Sequence, residues 1–426
     1  MFYKETNFRE ASPIGKIPRD WEVVRLRDVL LLLRNGLTAK QNKEGNGYPV
    51  TRIETISEEK IDPSKLGYVF EVPAKDMEEY RLIEGDILFS HINSLEHIGK
   101  TAIYEGVPDF LLHGMNLLLL RPDKNKIYPK FLLYLLRLFR GRKVFWAMSK
   151  KAVNQASINQ TELGNLRIFL PLMEEQQKIA EILSTVDEAI QKTNEIIAKT
   201  ERLKKGLMQE LLAKGIGHRE FKDTEIGRIP KEWEIVRLGD IAERIANIIS
   251  EEELVKTKKK YVLYSIPAYH EKGEPQLIEA EKIGSAKFHV QIGDVLFGKI
   301  NPKVPKVWMV EHDNALASTE FIVLRPRKRK VVSKFLYYLL QTDRVFKLSI
   351  SSAKGVVPSR LRTDVDSFMR ILIPLPPLSE QQKIAEILST IDKKLKNERS
   401  EKAKLERIKQ GLMDLLLTGK IRVKVD

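Results

Sequence analysis

The sequence contains no cysteine among its 426 residues. Disulfide bonds, thiolate catalysis and sulfur-ligated zinc are therefore excluded, and a cytoplasmic protein is expected. Long apolar stretches are also missing: the runs at 29–33 and 117–120 fall far short of the roughly 20 residues that span a bilayer. Residues 1–10 mix both charges and show no signal or transit segment. We therefore predict no membrane association.

Motifs for catalysis and cofactor binding are lacking as well. No glycine-rich dinucleotide loop is present, and in the stretch IGKT at 98–101 the first glycine of a phosphate-binding loop is replaced by Ser94. The stretch NPKV at 301–304 lacks the second proline and the aromatic residue of an adenine methyltransferase motif. The seven histidines do not cluster, and the nuclease-like stretch EEK at 58–60 has no upstream acid. We predict that the chain is not an enzyme and holds no cofactor or metal.

The sequence does have a strong excess of positive charge. Lysine and arginine number 73 and the acids 58, which gives a net charge of +15. Such an excess favours a polyanionic partner, above all nucleic acid, over a charge that serves solubility alone. The hydrophobic and charged fractions, 42% and 31%, are typical of globular domains, and the length predicts two or three of them.

The chain is an internal repeat. Residues 14–26 (IGKIPRDWEVVRL) match 226–238 (IGRIPKEWEIVRL) at nine of 13 positions, and 174–187 match 379–392 at 12 of 14. Between them, GDILFSHIN at 85–93 answers GDVLFGKIN at 293–301, and the Leu-Arg-Pro stretch at 120–122 recurs at 324–326. Residues 31–84 and 243–292 share no pattern, as expected if each copy reads a different target. Trp21 and Trp233, in the first matched pair, are predicted core residues.

Each repeat ends in a predicted long helix. Apolar residues spaced by three and four form a coiled-coil seam in both, and because neither helix can bury its seam alone, we predict that the two pair antiparallel. Ser379 and Gln382 form a capping box that predicts the second helix start, and Gly206 and Gly411 are expected to permit a close approach or a bend. The seam consists of Ile179, Leu183, Val186, Ile190, Thr193, Ile197, Thr200, Leu207 and Leu211, and of Ile384, Leu388, Ile391, Leu395, Leu405, Leu412 and Leu416.

The globular parts mix strand and helix patterns. Strands are predicted at 69–72, 86–89, 117–121, 168–170, 262–266, 294–297, 321–325 and 371–373, and helices at 128–140 and 332–342. The predicted fold class is α+β: two mixed α/β domains separated by two long helices that pair as an antiparallel coiled coil, with an internal pseudo-twofold repeat.

This arrangement resembles the specificity subunit of type I restriction–modification enzymes. The resemblance covers nearly the whole chain and is carried by a strand that leads into Glu-Gln-Gln-Lys-Ile-Ala twice, together with Gly-Asp-Ile/Val-Leu-Phe and Ile-Pro-x-x-Trp. It implies target recognition domains at 1–170 and 216–376, each reading half of a bipartite, asymmetric DNA site, and conserved spacer helices at 171–215 and 377–426. The helices would set the half-site distance and dock two methyltransferase subunits. Restriction/translocase subunits would join them, and S-adenosylmethionine, ATP and magnesium would belong to these partners.

Candidate DNA-binding residues are basic, amide and serine side chains in loops, and the loops at 150–160 and 354–362 lie at matched places just before the last strand. A scaffold without DNA specificity, or a standalone DNA-binding regulator without restriction–modification partners, is the alternative. The candidates in the first half are Lys40, Arg52, His91, Asn93, Lys100, Lys150, Lys151, Asn154, Gln155, Asn159 and Gln160, and those in the second half are Lys258, Lys259, Lys260, Lys299, Asn301, Lys303, Lys306, Lys354, Ser359, Arg360 and Arg362.

Overall fold

A computed structural model describes residues 2–11, 15–152, 155–271, 273–300, 306–354 and 361–424, with the backbone alone at 11, 151, 152 and 354. The strands are β1 (Phe2–Lys4), β2 (Phe8–Ala11), β3 (Gly15–Pro18), β4 (Glu22–Arg25), β5 (Leu30–Asn35), β6 (Tyr48–Val50), β7 (Gly67–Val69), β8 (Ile87–Phe89), β9 (Ile92–Asn93), β10 (Thr101–Ile103), β11 (Leu118–Pro122), β12 (Lys150–Ala152), β13 (Gln155–Ser157), β14 (Arg167–Leu170), β15 (Phe221–Thr224), β16 (Gly227–Pro230), β17 (Glu234–Arg237), β18 (Ala242–Ile245), β19 (Ile248–Ile249), β20 (Lys260–Tyr264), β21 (Gln276–Glu279), β22 (Lys287–Val290), β23 (Val295–Gly298), β24 (Val307–Met309), β25 (Ala315–Ser318), β26 (Phe321–Pro326), β27 (Ala353–Lys354), β28 (Arg362–Thr363), β29 (Leu372–Leu375) and β30 (Ile421–Val423). The helices are α1 (Ala74–Tyr80), α2 (Pro129–Gly141), α3 (Val144–Met148), α4 (Gln160–Gly164), α5 (Met173–Lys214), α6 (Leu238–Ile241), α7 (Glu251–Thr257), α8 (Ile266–Glu271), α9 (Ser333–Leu339), α10 (Asp343–Ser351), α11 (Val365–Met369) and α12 (Leu378–Leu416).

The chain divides into two compact units. The first unit comprises 1–194 and 401–426, and the second comprises 195–400. Each unit therefore contains one globular part and a segment of each long helix. The assignment of 1–170 and 216–376 to recognition and of 171–215 and 377–426 to spacing concerns function, which this division does not test, and it stays a prediction.

A four-stranded antiparallel sheet forms the centre of each globular part. Its order is β10-β8-β11-β5 in the first unit and β24-β23-β26-β18 in the second, so matched segments of the repeat occupy matched strands. Trp21 and Trp233 are fully buried in the respective cores, as predicted. The units differ elsewhere: the second contains a five-stranded sheet, β19-β22-β25-β20-β21, and the first only the β6–β7 pair at the corresponding place among its described residues. Apart from the matched strands β5 and β18, the dissimilar stretches 31–84 and 243–292 thus build different structures.

The two long helices pair along the predicted seam. Ile179 and Leu183 of α5 belong to one core cluster with Leu416 of α12 in the first unit, and Leu211 belongs to one with Ile384 in the second. The antiparallel direction is evident within the second unit: Glu201 contacts Arg399, whereas Lys204, three residues later, contacts Asp392, seven residues earlier. The fold-class prediction, including the antiparallel helix pair, is confirmed.

A matched polar cluster joins the helices in each unit. In the first unit, Lys409 Nζ lies 2.6 Å from Asp187 Oδ1, and Tyr134 Oη donates to Asp187 Oδ2 at 2.8 Å. In the second unit, Lys204 Nζ lies 2.7 Å from Asp392 Oδ1, and Tyr338 Oη donates to Asp392 Oδ2 at 2.7 Å. Each aspartate thus binds a lysine from the other repeat's helix and a tyrosine from its own globular part.

The start predicted for the second helix, and the close approach predicted at the helix glycines, are wrong. Helix α12 begins at Leu378, so Ser379 lies in its first turn and is not the cap. The start is held instead by Gln381, whose side-chain amide donates to the carbonyls of Pro376 at 2.9 Å and Lys330 at 3.0 Å. Gly206 and Gly411 do not serve a close approach, because a Cβ built on either would meet no atom of the described residues within 4 Å outside its own helix; the bend stays a prediction.

Candidate nucleic-acid interface

The repeated Gly-Asp and Leu-Arg-Pro motifs are joined by a buried ion pair. Asp86 receives hydrogen bonds from Arg121 Nε at 2.9 Å and Nη2 at 2.8 Å. Asp294 and Arg325 repeat the pair with both distances at 2.9 Å. Each carboxylate also caps the turn before its strand, since Asp86 accepts from the Ile83 amide and Asp294 from the Gln291 amide, both at 2.9 Å. The motifs therefore fix the central sheets, and this role was not apparent from the sequence.

Two predicted loops of the first half meet in one small sheet. Strands β12 and β13 form a hairpin, and β13 pairs with β9 so that Ala156 faces Asn93 and Ser157 faces Ile92. The amide of Ile158 donates to the carbonyl of His91 at 2.9 Å, which extends the pairing.

The backbone thus brings Lys150, Lys151 and Gln155 next to His91 and Asn93. Asn154 lies outside the described residues, and the side chain of Lys151 is not described.

The side chains of this sheet differ in availability. Lys150 is 73% exposed and 3.3 Å from Glu162, and Gln155 is exposed. Asn93 donates from Nδ2 to Ser90 Oγ at 3.1 Å. His91 is 7% exposed, and burial lowers the pKa of its imidazole to about 4, so the ring is neutral at neutral pH. A neutral imidazole gives a phosphate no charge to pair with, and His91 therefore fits a structural position better than a phosphate contact.

Other candidates of the first half are engaged within the protein. Arg52 Nη1 donates to Gln41 Oε1 at 3.0 Å, and Lys100 Nζ donates to the Ser57 carbonyl. Asn159 caps α4 by accepting from the Glu162 amide at 2.7 Å, and Gln160 donates to the Leu33 carbonyl at 2.6 Å. Lys40 is exposed, and among the described residues its ammonium has no hydrogen bond or ion pair. These bonds reduce but do not remove the donors that each side chain offers.

The second unit repeats the small sheet. Strand β27 pairs with β28, Ile300 forms a bridge to Arg362, and the amide of Thr363 donates to the carbonyl of Lys299 at 2.9 Å. This last bond is the counterpart of the bond from Ile158 to His91. Lys299, Lys354 and Arg362 therefore meet as their counterparts in the first unit do. Asn301, Lys303, Ser359 and Arg360 lie outside the described residues, and the side chain of Lys354 is not described.

The remaining candidates of the second half divide into two kinds. Lys258, Lys259 and Lys260 are exposed in and before β20, a strand of the five-stranded sheet of the second unit. Lys306 is 2% exposed, burial lowers the pKa of its ammonium, and its Nζ donates to the carbonyl of Ile300 at 3.1 Å. In this conformation Lys306 supports the chain beside the small sheet and offers no surface charge.

The Glu-Gln-Gln motif at the start of each long helix ties the helix to its globular part. Gln176 accepts from the amide of Tyr128 at 2.8 Å and Gln381 from the amide of Val332 at 2.9 Å. The preceding glutamates differ in their partners. Glu175 binds Arg422 through Nε at 2.7 Å and Nη2 at 2.8 Å, whereas Glu380 accepts from Trp233 Nε1 at 2.9 Å. The repeated motif therefore has a structural role.

Among the described residues there is no group of three or more histidine, aspartate and glutamate side chains placed to hold a metal ion. In the same part of the chain no helix is both long and apolar enough to cross a membrane.

Comparison with known proteins gives one consistent result. The family model described as "Type I restriction modification DNA specificity domain" matches residues 18–202 and 230–407. A putative type I restriction enzyme MjaX specificity subunit from Methanocaldococcus jannaschii is 46% identical over 100% of this chain and 99% of its own length. The MjaVIII specificity subunit from the same organism is 30% identical over 100% of this chain and 98% of its own length.

Solved structures show the same fold. The S subunit of a type I restriction–modification system from M. genitalium aligns with a TM-score of 0.60 at 15% identity, over 99% of this chain and 100% of that one. A chain from a structure of a type I R-M system aligns with a TM-score of 0.53 at 18% identity, over 95% of this chain and 99% of that one. The two matched domains and the relatives aligned over the full length agree, and the chain belongs to the type I restriction–modification specificity family as a non-catalytic specificity subunit that recognises DNA.

Proposed function

We propose that each globular part is a target recognition domain and that the chain reads a bipartite, asymmetric DNA site. The observation that carries this proposal is the small sheet repeated in both units. Its backbone pairing is the same, yet its side chains differ: His91 stands where the second copy has Lys299, and Ser157 where it has Arg362. Two different half-sites require different side chains on a similar backbone, since side-chain donors and acceptors distinguish the edges of the bases.

The charge of the chain supports binding to DNA over a scaffold role. A net charge of +15 favours attachment to phosphates, with release of counterions. We therefore expect affinity for duplex DNA to fall with salt, with a log–log slope of about −0.9 for each phosphate contacted. A scaffold without DNA specificity would bind neither tightly nor selectively, and excess unrelated duplex would compete equally with any target.

The partners that we propose are two methyltransferase subunits and restriction/translocase subunits, in the cytoplasm. S-adenosylmethionine, ATP and magnesium would be bound by these partners, and the specificity subunit would take no cofactor of its own. Co-purification of the tagged chain separates this proposal from a standalone regulator. Recovery of a methyltransferase in a ratio of two to one supports it, and a chain that binds a specific site but recovers no methyltransferase contradicts it.

A further inference from the structure

One arginine of the second small sheet is held in a fixed orientation by a carboxylate. Arg362 donates to Glu320 through Nε at 3.2 Å and through Nη2 at 3.0 Å, each to a different carboxylate oxygen. This pairing occupies one edge of the planar guanidinium. The other edge, formed by Nη1 and the second hydrogen of Nη2, has no partner among the described residues, and the side chain of Arg362 is 49% exposed.

The backbone fixes both members of this pair through Lys299. The amide of Lys299 donates to the carbonyl of Glu320 at 2.9 Å, and the carbonyl of Lys299 accepts from the amide of Thr363 at 2.9 Å. Arg362 also forms a bridge to Ile300. The segment at Lys299, which follows β23, therefore lies between the residues that carry the carboxylate and the guanidinium, and the bidentate pair gives the open edge of Arg362 a defined direction.

The first repeat has neither member of the pair. The equivalent bond from Ile158 to His91 places Ser157 at the position of Arg362. The Leu-Arg-Pro strands align Asn116 with Glu320, since each lies four residues before the matched leucine, at 120 or 324. Glutamate and arginine thus occur together at these two positions in the second repeat, and neither occurs at the equivalent positions of the first. A pair of this kind is expected where it serves one half-site alone.

We propose that Arg362 reads a guanine in the half-site recognised by the second unit and that Glu320 is the positioning residue that aims it. This inference rests on the proposed function. Guanine presents two acceptors, O6 and N7, in the major groove, and two parallel N–H donors on one guanidinium edge match them.

A base contact fits this pair better than a phosphate contact. A phosphate contact can use either edge of a guanidinium, or one N–H alone, whereas a contact to a base edge in the groove needs the two donors in one direction. A carboxylate beside a phosphate contact would also repel the DNA backbone, whereas beside a base edge it orients the donor without facing a phosphate. An exposed ion pair contributes little to stability, so stability alone does not explain this one.

The experiment is a selection of bound duplexes from a randomised library by the full-length wild type and four variants. Arg362→Lys keeps the positive charge but loses the two parallel N–H donors of the guanidinium edge. Arg362→Ala loses the charge and the donors, and Glu320→Gln keeps the shape of the side chain but loses its negative charge. Lys231→Ala removes an exposed ion pair with Glu220 on the same unit and is the matched control. Thermal unfolding of each variant shows whether it folds like the wild type.

The wild type should select a motif with one guanine preferred at least about tenfold over other bases. Both Arg362 variants should lose that preference at that position only, Glu320→Gln should weaken it several-fold, and the control should match the wild type. Equal weakening on all sequences in the arginine variants would mean a phosphate contact and overturn the inference. An unchanged guanine preference in Glu320→Gln would overturn the positioning role. A wild type that selects no motif would contradict the proposed function itself.

Discussion

Lys409 on one long helix and Asp187 on the other lie with Nζ and Oδ1 2.6 Å apart, and Tyr134 donates to the same carboxylate. Asp187→Asn should therefore lower the free energy of unfolding by about 1–3 kcal/mol, because it replaces the carboxylate that pairs with the half-buried ammonium of Lys409 by a neutral amide. Denaturant unfolding in a double-mutant cycle with Lys409→Met measures the coupling. Additive effects of the two substitutions would show that the pair does not hold the helices together.

The buried pair Asp86–Arg121 predicts a larger effect. The carboxyl of Asp86 is 1% exposed, so Asp86→Ala would leave a guanidinium that is 22% exposed with the Arg81 carbonyl, at 3.1 Å, in place of a charged partner, and it would free the amide of Ile83. We expect a loss of about 2–4 kcal/mol, somewhat below the full cost of breaking a buried pair because Arg121 reaches solvent. Denaturant titration measures it. The exposed pair Lys231–Glu220 is the control, and its loss should change the free energy of unfolding by less than about 1 kcal/mol. Similar losses for the two pairs would contradict the expectation that the buried pair contributes more.

The helix glycines predict stabilised variants. Outside its own helix, a Cβ at Gly206 or Gly411 meets no atom of the described residues within 4 Å, so Gly206→Ala and Gly411→Ala should each raise the free energy of unfolding by about 0.5–1 kcal/mol. Gly419→Ala is the contrasting variant, since Gly419 has a φ of +66° and its Cβ would lie 2.3 Å from Pro18 Cγ. It should destabilise the chain. Destabilisation by the first two substitutions would reveal a contact that these positions do not show.

Acid should destabilise the first unit through a buried histidine. His113 is fully buried, and desolvation lowers the pKa of its imidazole to about 4. The unfolded chain, with a histidine pKa of about 6.5, binds more protons between these values, so stability falls as pH falls from 6.5 towards 4. The contribution reaches about 3 kcal/mol near pH 4. His113→Gln, which keeps a donor for the Leu117 carbonyl, should give a flatter dependence in denaturant titrations across this pH range; an identical slope would exclude the histidine as the cause.

The repeat made the helical part of the fold predictable, because its signals are local. Apolar residues such as Ile179 and Leu183 recur with helical spacing, and they are buried as expected. The pairing of Asp86 with Arg121 was not predictable, since residues 35 positions apart meet only through the order of strands in a sheet. The close approach expected at Gly206 and Gly411 was also not predictable, since a sequence shows where a glycine lies and not which atoms a side chain there would contact.

For the candidate interface, the sequence predicts which loops take part but not which of their side chains are accessible. The sequence pointed to 150–160 and 354–362, and the sheets that unite them with His91 and Lys299 depend on long-range pairing. Burial then distinguishes the members, since Lys306 and His91 are enclosed whereas Lys150 and Arg362 are exposed. Exposure follows from tertiary packing, which residue type and spacing do not determine.

The most direct test of the account is methylome sequencing of a host that expresses this chain together with its methyltransferase partner. We predict adenine methylation at one bipartite, asymmetric motif, present only when the chain is expressed, with one half of the motif altered in an Arg362→Ala strain. Methylation that is independent of the chain, or that follows a single continuous motif, would contradict the claim that the two units each read one half of the target.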